Sequence, residues 1–361
     1  VASEPSQKDP DMRLGGRING DLTVDLPGEY LVETGNFCNL RCPACATGRQ
    51  ELGLSRGFLT AERARSIARN AAPHMKTVGL YNWGELFVNP EYLGIIEAFS
   101  EVGAFTTVDT NLVSREFSAQ DAEAIVTAGL GRIYASIDGA TQAGYEAYRV
   151  RGKLDRALAN IERLLDARAR SGAGNPEIIW KFLVNDLNEH EMMMAQASAD
   201  ALGVPIVYEL NNLSRWHPRR RRPGQRIQIE RRRYNADFSL KRPPLDGTPL
   251  KDLELHDLLR SNFCRQPFHL VVVHWDGRIL PCCGVFSDHA DLGDLSRQRI
   301  EEIWNGEPMR AVRGFVLGYG PPQSGRSVCE TARCPVNPKA LPPIERLERE
   351  AGSREPQAAA E

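Results

Sequence analysis

The side chains of this 361-residue chain best suited to metal or redox chemistry are its eight cysteines. Three stand together in CNLRCPAC as Cys38, Cys42 and Cys45, and the other five, Cys264, Cys282, Cys283, Cys329 and Cys334, fall in the C-terminal third. Thiols clustered in this way point to metal or redox work rather than to structural disulfides. A structural zinc or an iron–sulfur cluster ordinarily takes four protein ligands, so a CxxxCxxC loop leaves one coordination position open for a substrate or cofactor. Two blander readings stand beside that one: a zinc loop borrowing a fourth ligand such as His74, or three buried thiols. Cys264, Cys282, Cys329 and Cys334 offer four thiolates from distant positions, which suits a closed site, either iron–sulfur or zinc. Cys283 is then surplus: an alternative ligand, an inert thiol, or a hydrogen-atom donor, since an S–H bond is weaker than most C–H bonds.

Positioning these groups requires a scaffold, and the hydrophobic pattern supplies one. From 28 to 212, short apolar or β-branched runs alternate with amphipathic stretches such as AERARSIARNAA, the pattern of βα repeats around a parallel sheet. Six strands are predicted: YLVET (30–34), TVGLYN (77–82), FTTVDT (105–110), RIYASID (132–138), EIIWKFLV (177–184) and PIVYEL (205–210). The fold class is therefore α/β, a partial (βα)6 barrel, whose reacting groups belong at the C-terminal ends of the strands. The cysteine trio directly follows the first strand. Short polar groups, Gly84 with Glu85, Thr110 with Asn111, and Ser136 with Asp138, end the next three. A second, small α+β unit begins near 256, with two strands flanking the turn signal Asp276-Gly277 in FHLVVVHWDGRILPCC and a helical pattern in SRQRIEEIWNGEPMRAVRGF. The expected organisation is an extension (1–27), the barrel (28–212), an arginine-rich connector (213–255), the cysteine-bearing unit (256–340) and a polar tail (341–361).

Taken together and in this order, the motifs resemble the radical S-adenosylmethionine (SAM) superfamily over about residues 28 to 340. The resemblance implies that Cys38, Cys42 and Cys45 hold a [4Fe–4S] cluster whose open iron binds the amino and carboxylate groups of SAM. An electron from the cluster then splits SAM into methionine and a 5′-deoxyadenosyl radical, which takes hydrogen from the substrate. LYNWGELF resembles the family's GEP-type motif and places Gly84, Glu85 and Leu86 beside the SAM amino group, with leucine where proline is usual. Thr110 and Asn111 match a third-strand ending, and Ser136 and Asp138 are implied to face the ribose. Lys181 is expected to approach the SAM carboxylate, and Arg149 or Arg151 to meet an anion. Ala44 stands where many members carry an aromatic, so adenine packing must come from elsewhere. VVVHWDGRILPCC and LGDLSRQRIEEIWNG resemble a SPASM/twitch extension. Five cysteines are too few for two auxiliary clusters, which implies one, a [4Fe–4S] on Cys264, Cys282, Cys329 and Cys334.

A hydrophobic content of 42% and a net charge of −2 describe an ordinary globular protein. No run approaches the ~18 apolar residues of a membrane span, and the first residues lack the order of a signal peptide, so a cytoplasmic location without a membrane partner is expected. From Arg215 to Arg242, eleven lysines and arginines face only Glu230 and Asp237. Arginine forks suit phosphate or carboxylate, which allows an anionic substrate; a solvated linker is the alternative. Few aromatics interleave beyond Trp216 and Tyr234, which disfavours nucleic acid. The expected function is a radical SAM oxidoreductase that dehydrogenates a small polar metabolite, sugar- or aminocyclitol-like, and passes an electron to the auxiliary cluster. Alternatives are a redox-neutral epimerase with Cys283 as hydrogen donor, a peptide-modifying enzyme, and a zinc-containing binding module. Residues 1–27 are shorter than the leader-recognition domain of many peptide-modifying relatives, which counts against a peptide. A reducing partner such as flavodoxin or ferredoxin is implied.

Overall fold

The computed structural model describes residues 21–50, 55–185, 187–210, 264, 266–284 and 292–317, together with the backbone of Ile229–Glu230. Cys329, Cys334, most of the expected connector and the polar tail lie outside the described residues.

The six predicted strands are present as β1 (Glu29–Val32), β2 (Thr77–Gly79), β3 (Phe105–Thr110), β4 (Arg132–Ser136), β5 (Glu177–Val184) and β6 (Ile206–Leu210). Each pairs in parallel with the next. Helices α1 (Ala61–Ala71), α2 (Tyr92–Ser100), α3 (Ala119–Thr127), α4 (Gln142–Tyr148), α5 (Leu154–Ser171) and α6 (Met192–Leu202) run between them. Their ends obey local chemistry: the Thr60 side chain accepts from Arg63 N, Ser118 and Asp121 form a capping box, and Gly172 and Gly203 close α5 and α6 in the left-handed region. α5 buries Leu154, Ala157, Ile161 and Leu164, the three-to-four spacing of a single apolar stripe.

Strand alternation separates two faces of the sheet. On β5, Ile178, Trp180, Phe182 and Val184 are buried, while Glu177, Ile179, Lys181 and Leu183 are partly open. The buried set joins the main core with the helices; the other set lines the inner face of the barrel.

Two strand pairings extend the sheet beyond the six predicted strands. Helix α7 (Gln266–His269) leads into β8 (Leu270–Val273), which pairs in parallel with β1, and β9 (Ile279–Leu280) pairs back onto β8. One nine-stranded sheet results, in which β6-β5-β4-β3-β2-β1-β8-β9 run in that order and one further strand lies beyond β6. The cause is the free edge of β1, whose unpaired backbone groups β8 satisfies. Likewise the connector contributes a strand, since β7 (Ile229–Glu230) pairs with Tyr208 and Glu209 of β6. Helices α8 (Ile300–Trp304) and α9 (Glu307–Leu317) close the hairpin side. There the buried Arg313 donates to the carbonyls of Leu22, Pro267 and Trp304 at 3.0, 2.9 and 2.8 Å, tying the N-terminal segment to the C-terminal unit.

Candidate active site

β1 ends at Val32, and the chain turns through Gly35 and Asn36 into the cysteine loop. Cys42 is buried, and Cys38 and Cys45 are partly so. The amide of Leu40 donates to Cys38 Sγ at 3.4 Å, and Asn111 Nδ2 approaches the same sulfur at 3.7 Å. Burial pushes the Cys38 thiol up to about 12, helped by the charge of Glu85, and it also raises Cys42, where the Arg149 guanidinium works in the opposite direction. Three soft donors on one loop, with N–H groups and a guanidinium turned toward the sulfurs, fit an iron–sulfur cluster. Among the described residues, no three His, Cys, Asp or Glu side chains converge as the ligands of a single ion would. The zinc reading that borrowed His74 fails on position. His74 follows α1 and precedes β2, at the far end of the sheet from the loop, and its Nε2 lies 3.2 Å from Glu301.

The residues expected at the other strand ends meet around two carboxylates. Glu85 is buried; its Oε1 accepts from Thr110 Oγ1 at 2.6 Å and from Phe87 N at 3.3 Å, and its Oε2 from Asn111 N at 2.8 Å. Burial raises its carboxyl pKa against these bonds. Gly84 fits because a β-carbon there would collide with the carbonyl of Gly35. Asp138 is wholly enclosed: Oδ1 accepts from Leu183 N at 2.7 Å and Oδ2 from Arg149 Nε at 2.5 Å. Both oxygens are thus engaged by protein, and Asp138 acts here by holding Arg149 beside Cys42. Desolvation opposes the charge on Arg149, but Asp138 and Cys42 outweigh it and hold its pKa well above the usual value. Ser136 is nearly buried at the end of β4, level with Lys181 on β5. Lys181 Nζ pairs with Asp109 Oδ1 at 2.7 Å and lies 6.0 Å from the Tyr134 ring centre. Asp109 and Tyr134 were not singled out from the sequence. Their signal was present as the polar, alternating positions of β3 and β4.

On the β1–β8 side, Leu31, Val272 and Leu280 form a small cluster of their own, against which Tyr81, Leu270, Cys282 and Cys283 pack. Because Leu280 pairs with Val272 and the chain runs antiparallel, Cys282 comes back toward the start of β8. The first cysteine loop follows the opposite end of the neighbouring β1. The four residues of β8 rise about 13 Å, so Cys282 and the first cysteine loop stand at opposite ends of one inner wall. Cys264 packs instead on the edge of the main core.

These features define an iron–sulfur enzyme built on an open βα barrel. The model of the Radical SAM superfamily matches residues 32–175, and the SPASM model, an iron–sulfur cluster-binding domain, matches 264–335. The chain belongs to the radical SAM superfamily and carries a C-terminal SPASM domain. Its cofactors are accordingly SAM, a [4Fe–4S] cluster and auxiliary iron–sulfur chemistry, which removes the zinc-module alternative. When bound, the cluster supplies the electron that releases a 5′-deoxyadenosyl radical from SAM. Among solved structures, SuiB of Streptococcus suis bound to S-adenosylmethionine is similar with TM-score 0.58 and 13% identity over 82% of this chain and 69% of that one. BtrN in complex with AdoMet and 2-DOIA has TM-score 0.49 and 14% identity over 86% and 94%. Methylornithine synthase (PylB) has TM-score 0.38 and 11% identity over 51% and 53%. At 13% identity the likeness to SuiB is one of fold. No curated protein matches the chain. No helix among the described residues is long and apolar enough to cross a membrane.

Proposed function

We propose that this chain is a radical SAM oxidoreductase that dehydrogenates a small polar metabolite of sugar or aminocyclitol type, with the auxiliary cluster accepting the second electron. The observation that carries this reading is the character of the inner face. Asp109 and Lys181 form a partly open ion pair beside Tyr134, level with Ser136 at the end of β4. Walls of this kind offer both donors and acceptors to hydroxyl and amino groups and suit an apolar substrate poorly. In this reading Gly84, Glu85, Thr110, Asn111 and Ser136 build the SAM side, and Asp138 positions Arg149 there. Cys264, Cys282, Cys329 and Cys334 hold one auxiliary cluster, and flavodoxin or ferredoxin supplies electrons.

The test is anaerobic turnover of reconstituted protein with SAM, dithionite and a panel of amino sugars and aminocyclitols. Substrate-dependent 5′-deoxyadenosine with an equal amount of a product lighter by two hydrogens is expected. A product of unchanged mass would overturn dehydrogenation. Epimerisation is a second reading, supported by Cys283, which packs on the inner-face cluster where a thiol could return hydrogen. Solvent deuterium at the reacting carbon, lost in Cys283→Ser, would select it.

A further inference from the structure

Glu33 and His274 lie side by side on neighbouring strands. The register Leu31↔Val272 and Val32↔Val273 brings them level, and Glu33 N donates to Val273 O at 2.8 Å. By strand alternation they share the inner face with Leu31 and Val272. Both side chains are fully enclosed, with Glu33 Oε1 and His274 Nε2 3.5 Å apart. Neither of these two atoms has a hydrogen bond to any described residue. Buried polar atoms are rarely left so without a reason.

The surroundings assign the protons. His274 Nδ1 lies 3.0 Å from Asp276 Oδ1, and Arg278 Nε donates to Asp276 Oδ2 at 2.7 Å. Burial works against the Asp276 charge, but the bonds from His274 and Arg278 prevail and hold its carboxyl well below the usual range. Ionised Asp276 therefore takes Nδ1–H, leaving the Nε2 lone pair toward Glu33. Burial pushes Glu33 up to about 8; a bond from Asn82 opposes this and the Asp276 charge adds to it. As a neutral acid, Glu33 donates to Nε2 and satisfies both orphaned atoms. Asn82, just past β2, donates to Glu33 Oε2 at 3.4 Å, and Asp276 is partly open to solvent.

We propose that Glu33, His274 and Asp276 form a proton relay from the inner face of the barrel to solvent, which carries away the hydroxyl proton when the substrate is oxidised. The role rests on the dehydrogenation reading above. Converting a carbinol to a carbonyl sends one hydrogen atom from carbon to the 5′-deoxyadenosyl radical and one electron to an iron–sulfur cluster. One proton remains, from the hydroxyl. Glu33 takes it while passing its own to Nε2, the imidazolium is stabilised by Asp276, and the proton leaves to water there.

Infrared spectroscopy of the reconstituted holoenzyme tests the relay without any substrate. At pH 7 a protonated-carboxyl band is expected in the wild type and absent in Glu33→Gln. On mixing with deuterated water that band shifts promptly in the wild type, and at least ten times more slowly in His274→Gln and Asp276→Asn. No Glu33 band at pH 7, or equally fast exchange in the variants, overturns the relay. Should His274→Gln fail to fold, Asp276→Asn decides. Failure of the dehydrogenation reading would show separately, in the mass of the product.

Discussion

Asparagine in place of Asp138 keeps the shape of the side chain and removes its charge, with consequences that follow from three facts of the structure. Asp138 is fully enclosed, its partner Arg149 retains only 17% side-chain exposure, and each carboxylate oxygen accepts one bond. The asparagine oxygen can keep the bond from Leu183 N, but its amide N–H groups then face the guanidinium, donor against donor. Breaking one side of a buried pair in this way costs about 3–5 kcal/mol, because the remaining charge stays desolvated and unmatched. That is a large share of the roughly 5–15 kcal/mol that holds a typical domain folded. Denaturation of wild type, Asp138→Asn, Arg149→Met and the double variant, followed by circular dichroism, measures it. The double variant is expected to recover at least half of the loss, since it removes the unmatched charge. A single variant within about 1 kcal/mol of wild type would refute the argument. So would a double variant as unstable as the two losses added.

Other expectations follow from the same geometry. Cys42→Ala should abolish 5′-deoxyadenosine formation and lower bound iron from about eight to about four per chain, whereas Cys282→Ala should lose similar iron yet still cleave SAM; iron analysis and chromatography check both. Gly84→Ala drives a β-carbon into the Gly35 carbonyl and should cost about 1–3 kcal/mol in thermal unfolding, with weaker SAM binding. Glu33 also predicts a pH dependence of stability. Its carboxyl is raised from 4.5 to about 8, so the folded state holds a proton that the unfolded chain has released between those values. Wild-type stability should fall as pH rises through that window, by a few kcal/mol at most, and Glu33→Gln should flatten the fall when the two are compared in denaturant at pH 5 and pH 8.

What was legible beforehand was whatever depends on neighbours in sequence. Two-residue alternation marked EIIWKFLV and FTTVDT as strands, and both appear with the predicted bounds as β5 and β3. The spacing of Cys38, Cys42 and Cys45 after the first strand marked the site, because a ligand loop is a local object. Thr110 and Asn111 were singled out in the same way, but their attachment to Glu85 was not, since that bond spans from β3 to the turn after β2.

Sequence alone therefore determined the βα rhythm, the thiol chemistry and the end of the barrel on which that chemistry lies, all consequences of short-range periodicity and residue type. Tertiary structure decided what no local pattern encodes: that β8 completes the edge of β1, that Asp138 spends its charge on Arg149, and that Glu33 meets His274 across some 240 positions of chain. The physical reason is the same in each case. Unpaired backbone edges and buried charges must find partners wherever the folded chain brings them, and the distance along the sequence does not enter that requirement.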